Sequence, residues 1–110
     1  MKYILKFTLI LIMLVHSHLA ISHGDHGSIN GQQAISISQK VIKQMTFKDF
    51  GFQAGKLSEP WKAITYDNIN VVNIIEGHYI VKASLNEDDS LYLQIAPNGQ
   101  VIEVKKQNIF

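Results

Sequence analysis

Two rhythms of apolar residues run through this 110-residue chain, one helical and one strand-like. Ala34, Ile37 (or Ser38), Val41, Ile42 and Met45 recur at steps of three and four. Gln32, Ser36, Gln39, Lys40, Lys43 and Gln44 fill the opposite side. That period gathers the apolar set into one stripe of an α-helix, which packs on a core. Asn30 is a strong N-cap, and Gln33 stands three residues on, the spacing at which two side chains cap each other's backbone amides. Ile29, just before the cap, is placed to staple onto Ala34. The spacing predicts a helix from residue 31 to 44 or 45, with Lys40 and Lys43 suiting the negative end of its dipole.

From Ile69 the period shortens to two. Residues 69–75, 78–85, 91–96 and 101–105 read as short strands separated by turn residues. Glu76-Gly77 fits a two-residue hairpin in which Gly supplies a positive φ, and Pro97-Asn98-Gly99 is the strongest turn signal of the chain. Tyr79, Val81, Ala83 and Leu85 share one face; His78, Ile80, Lys82 and Ser84 share the other. Leu91, Leu93 and Ile95 oppose Tyr92 and Gln94, while Ile102 and Val104 oppose Glu103 and Lys105. One amphipathic helix before an antiparallel meander of three or four strands, one sheet face covered and one wet, is an α+β domain.

The stretch between the two patterns is irregular. Phe47, Phe50 and Phe52 are too apolar for a solvated loop, yet Gly51 and Gly55 interrupt any helix. The expectation is a connection whose aromatics dock on the helix or the sheet edge. Ser58-Glu59-Pro60-Trp61 reads as a capped single turn with Pro60 preset for an early helical position. Trp61, the single Trp, anchors that turn against the core.

Upstream of Ile29 the pattern is one of delivery. Lys2 and Lys6 make a positive start, residues 7–15 form a short apolar run, and the small residues Ala20 and Ser22 follow. That order reads as a secretory signal peptide, its apolar run too short to span a bilayer as a helix. Cleavage after Ser22 divides the chain into a signal peptide (1–22), a flexible His-containing tail (23–29) and an α+β domain (30–110). A cut after Ala20 would leave Ile21 first instead. The expected location is periplasmic or secreted, with no stable membrane anchor after cleavage.

Composition narrows the partners. There is no Cys, so disulfides, thiolate metal sites and thiol nucleophiles are excluded, and the domain stands on its core alone. Loss of Lys2 and Lys6 leaves eight Lys against nine Asp and Glu, with no Arg. Near-neutral charge without Arg argues against nucleic acid. No polybasic patch marks a membrane-binding surface.

Gln33-Ala34 opening the helix, Gly55-Lys56-Leu57 followed by Trp61, Tyr79-Ile80-Val81, Leu91-Tyr92-Leu93 and Asn98-Gly99-Gln100-Val101 form an ordered set behind a signal peptide and a His-containing N-terminus. In these features the chain resembles a family of small exported bacterial proteins of unknown function with a PepSY-like domain. The resemblance implies a periplasmic helix-plus-meander domain and brings no established activity.

One constellation could carry chemistry. With His23 first, its α-amine and imidazole can close a chelate ring, and Asp25 and His26 can add an oxygen and a second imidazole. Such nitrogen-rich, thiolate-free sets favour Cu(II) or Ni(II), with Zn(II) behind, so copper or zinc is the candidate cofactor. If Ile21 is first, His23 becomes the third residue and an amine, two amides and its imidazole suit square-planar copper. His78 begins a strand beside a turn and reads as a solvated edge residue. The acidic run 86–90 lacks the alternate ligand spacing and central Gly of a calcium loop. No nucleophile elbow, phosphate-binding Gly loop or facing carboxylate pair is present, so no enzyme is expected. The leading expectation is a non-enzymatic domain that binds a protein or peptide partner through its sheet edge or wet face. Copper or zinc handling at His23, Asp25 and His26 is the alternative. The weakest reading is a small-molecule pocket between the helix and the Trp61 region with Tyr66 on its rim.

Overall fold

The computed structural model describes residues 28–110 and shows one helix packed on a four-stranded antiparallel sheet. Helix α1 (Gly31–Met45) begins as the sequence predicts. Asn30 N–H donates to Gln33 Oε1 and Gln33 N–H donates to Asn30 Oδ1, both at 2.8 Å. Its buried stripe is Ala34, Ser38, Ile42 and Met45, with Ile37 and Val41 half-buried beside it. Of the two alternatives at 37 and 38, the polar one therefore takes the centre. Burial costs its hydroxyl little, because Ser38 Oγ donates to Ala34 O at 2.8 Å.

The strands are β1 (Ile69–Ile75), β2 (His78–Ser84), β3 (Ser90–Ile95) and β4 (Val101–Lys105). They lie in chain order, each antiparallel to the next. Ile69, Val81, Ala83, Leu91, Leu93, Ile95 and Val104 are buried on the face that meets α1, together with Leu57, Trp61 and Ile64. Glu76 (φ 50°) and Gly77 (φ 80°) both adopt the left-handed conformation that a two-residue hairpin needs.

Three local expectations change. Ile102 and Val104 do not share a face: the register slips between Gln94 and Ile95, so Val101 turns to the core beside Val104 and Ile102 stays 43% exposed. A bulge inserts one residue and breaks the two-residue alternation there. Phe47 and Phe50 do not dock; they are 69% and 42% exposed, while Phe52 alone packs on the core. Thr46 Oγ1 donates to Lys43 O at 2.6 Å and closes the helix, so the chain turns before Phe47 can extend the apolar stripe. Lysine ammonium groups sit over these exposed rings, with Lys62 Nζ 4.4 Å from the Phe47 ring centre and Lys48 Nζ 4.9 Å from that of Phe50. Finally, the Trp61 turn is a 3₁₀ helix (Glu59–Ala63) capped by main chain alone. Trp61 N–H donates to Ser58 O at 3.1 Å, and the Ser58 hydroxyl takes no capping bond. Trp61 itself is buried, as an anchor should be.

Candidate functional site

The two edges of the sheet are finished differently. At β4 the incoming connection lies alongside: Ala54 N–H donates to Val104 O at 2.9 Å, and Gln53 N–H donates to Glu103 Oε1 at 2.8 Å. Glu103 Oε1 also accepts from Val104 N–H at 2.9 Å. The Gln53 and then the Val104 amide hold this carboxyl below the usual range; burial opposes them and Lys105 adds a small lowering. The β4 edge is thus covered by a short strap pinned at one carboxylate.

At β1 nothing comparable is seen among the described residues. Apart from Ile69 N–H, which donates to Tyr66 O at the strand's start, β1 (Ile69–Ile75) shows no backbone hydrogen bond other than those to β2. The strand carries no charged residue and no Pro, and Val72, Ile74 and Ile75 are 47%, 58% and 38% exposed. Two devices blunt this edge. The register shifts between Val71 and Asn73, a bulge at Val72. Asn73 Oδ1 then accepts from Ile74 N–H at 2.8 Å. In a two-residue hairpin Ile75 and His78 form the hydrogen-bonded pair, so the main-chain groups of Ile74 point away from β2, towards the open side. The side chain of Asn73 therefore occupies a donor that an added strand would otherwise use.

Below the sheet, a cleft of about 550 Å³ opens between the Trp61 turn, the start of β3 and the C-terminal segment. Leu57, Trp61 and Leu91 form its apolar part, and Lys56, Lys106, Asp88 and Asp89 stand at its rim. On the sheet face turned away from α1, Ile80 is buried between Asn73 and Gln94 in register, although it lies outside the main core cluster. Lys82 Nζ rests 5.8 Å above the Tyr92 ring on the same face.

A model of a family of unknown function (DUF6488) matches residues 1–108. The chain belongs to DUF6488. No curated protein and no solved structure matches it.

The sequence-predicted ligands His23, Asp25 and His26 lie outside the described residues. Among the described residues no group of three or more His, Asp or Glu side chains could hold a metal ion. His78 begins β2 as expected, but β2 is an interior strand and His78 is half-buried rather than at a solvated edge; its Nδ1 lies 3.2 Å from Glu76 O. A carbonyl only accepts, so Nδ1 carries the proton and Nε2 is the nitrogen available to a ligand. The acidic loop is self-satisfied: Asn86 Oδ1 accepts from Asp88 N–H at 2.9 Å and Asp89 N–H at 3.0 Å. Tyr66 is not part of the Trp61 cleft; its hydroxyl lies 3.5 Å from Ser36 Oγ, on the helix. The Trp61 cleft depends on residues 106–108 packing beside 88–92, which no local pattern in the sequence carries. No helix among the described residues is long and apolar enough to cross a membrane.

Proposed function

We propose that the protein is an exported, PepSY-like, non-enzymatic binding domain that recognises an extended protein or peptide segment by strand addition at β1. One observation carries this reading: of two sheet edges, β4 is strapped by Gln53-Ala54, whereas β1 is uncharged and exposes Val72, Ile74 and Ile75. Main-chain pairing gives affinity in such complexes, and alternate side chains give selectivity. The fitting occupant is an uncharged segment with apolar residues at every second position, since the strand offers no charge to pair with. The Val72 bulge and the Asn73 cap work against indiscriminate edge-to-edge association, as protected edges do. Export is supported by the Lys2, Lys6 and 7–15 pattern with Ala20 and Ser22 behind it.

The test is amide NMR of the ¹⁵N-labelled protein titrated with a ten-residue Val/Thr alternating peptide. Shifts centred on 69–75 that vanish in Val72→Lys/Ile74→Lys support the proposal. Binding that survives both substitutions, or concentration-dependent self-pairing of β1 without peptide, overturns it.

A second reading is copper or zinc binding through His23, Asp25 and His26, and one observation favours it. Among the described residues Ile29 is tied down near their N-terminal end: its N–H donates to Pro97 O at 2.8 Å and its carbonyl accepts from Tyr79 Oη at 3.0 Å. Gly77 packs against Pro97 at this same end, beside His78. An imidazole with Nε2 available thus stands at the end of the sheet where the His-bearing segment joins it. Copper(II) stoichiometry by native mass spectrometry checks this: one ion per mature chain is expected, lost on His23→Ala and weakened by His78→Ala. Stoichiometric binding retained by the His23→Ala/His26→Ala variant refutes it.

A further inference from the structure

We infer that the cleft beside Trp61 is a binding site for a small zwitterion of the amino-acid or dipeptide class. Its volume, about 550 Å³, suits a small molecule. Its wall combines an apolar part, where Leu57 and Trp61 are buried, with two cations and two anions at the rim. Lys56 and Lys106 face the same space as Asp88 and Asp89, yet no ion pair joins any of the four. The one salt bridge among the described residues is Lys62–Glu59, outside the cleft. Asp89 Oδ2 accepts from Asn86 Nδ2 at 3.3 Å, but no cation among the described residues engages either carboxylate, so a ligand bearing an ammonium and a carboxylate finds a charged partner for each end without breaking an ion pair. A phosphate or a metal cation would meet both attraction and repulsion, because the four charges sum to zero.

The anionic side of the rim is held in place. Asn86 Oδ1 accepts both loop amides, and Leu85 N–H donates to Asp89 O at 2.9 Å, so the two carboxylates sit on a fixed turn. That lowers the ordering cost of engaging an ammonium there. The cationic side comes from two separate segments, Lys56 after Gly55 and Lys106 after β4. Their long stems can adjust to the carboxylate of ligands of different length.

Trp61 is the single Trp of the chain, so its emission reports directly on the cleft. The protein isolated from cells expressing the full chain is titrated with Ala-Ala, N-acetyl-Ala-Ala and Ala-Ala-amide, followed by Trp emission and calorimetry. Ala-Ala is expected to bind saturably, and blocking either end to weaken binding about ten-fold or more, the loss of one charge-assisted contact. Lys56→Gln/Lys106→Gln should erase the preference over the amide, and Asp88→Asn/Asp89→Asn the preference over the acetylated form. All four side chains are exposed, so the variants should keep the ligand-free emission of the parent. No saturable response to millimolar Ala-Ala, or equal binding of the blocked forms, overturns the inference. Val72→Lys/Ile74→Lys, on the opposite edge, should leave this response intact, which separates it from strand addition at β1.

Discussion

Glu103 offers a prediction whose size depends on pH. Its Oε1 accepts from the Gln53 and Val104 amides at 2.8 and 2.9 Å, and that pairing holds the strap on the β4 edge. Glu103→Gln keeps the shape and an acceptor oxygen but removes the charge. A hydrogen bond to a charged group contributes about 1.5–3 kcal/mol against about 0.5–1.5 kcal/mol for a neutral one. Two bonds therefore lose about 2 kcal/mol, and solvent screening of a half-buried group reduces this to about 1 kcal/mol. Because the amides lower the folded pKa, the charged form's contribution is complete above the unfolded value of about 4.3. It is lost as pH falls through the lower, folded value. Urea unfolding of both proteins at pH 7 should show the gap of about 1 kcal/mol. The gap should close near pH 2, where both side chains are neutral. A gap of equal size at the two pH values would refute the argument, since it would then reflect packing rather than charge.

Gly77 and Gly51 form a natural pair. Both have positive φ, 80° and 89°, so Ala at either position costs about 1–2 kcal/mol of backbone strain. An added Cβ at Gly77 would stand 3.2 Å from Pro97 Cγ, whereas at Gly51 it meets nothing within 4 Å. Thermal unfolding should therefore rank Gly77→Ala below Gly51→Ala, and equal midpoints would deny the Pro97 contact any weight. Asn30→Ala removes one partner of the capping box and should destabilise by about 1 kcal/mol in urea titration, with Asn30→Ser restoring most of it. Asn73→Ala frees the Ile74 N–H and should strengthen binding of the Val/Thr peptide measured by NMR; weaker binding would mean that Asn73 contacts the guest strand.

Much of the fold was legible because it is local. The helix, its capping box, the two-residue hairpin and the strand order each depend on residues close in sequence, where propensity and period act directly. Misreadings arose where a single residue broke the period or where distant segments met. The bulge opposite Ile95 exchanged Val101 for Ile102, and neither residue type announces it. Apolarity alone points Phe47 and Phe50 to the helix or the sheet edge, whereas in the fold they stay exposed with the Lys62 and Lys48 ammonium groups over their rings. Of the site, the uncharged composition of β1 was visible in advance; its position at the open edge was not. That depended on the strap of residues 53–54 choosing β4.

The anchoring of Ile29 has a kinetic consequence. Each strand pairs with its neighbour in the chain, so the meander can zip up through short loops on a fast timescale. The bonds from Ile29 to Tyr79 and Pro97 close far longer loops, the first spanning 50 residues. Closing them costs more chain entropy and is favoured only after the hairpins exist. Ile29 is thus expected to act as a late clasp, formed after the transition state. Tyr79→Phe, which undoes half of it, should speed unfolding in a chevron and leave the refolding limb in place. The clasp sets how long the folded protein lasts rather than how quickly it is made.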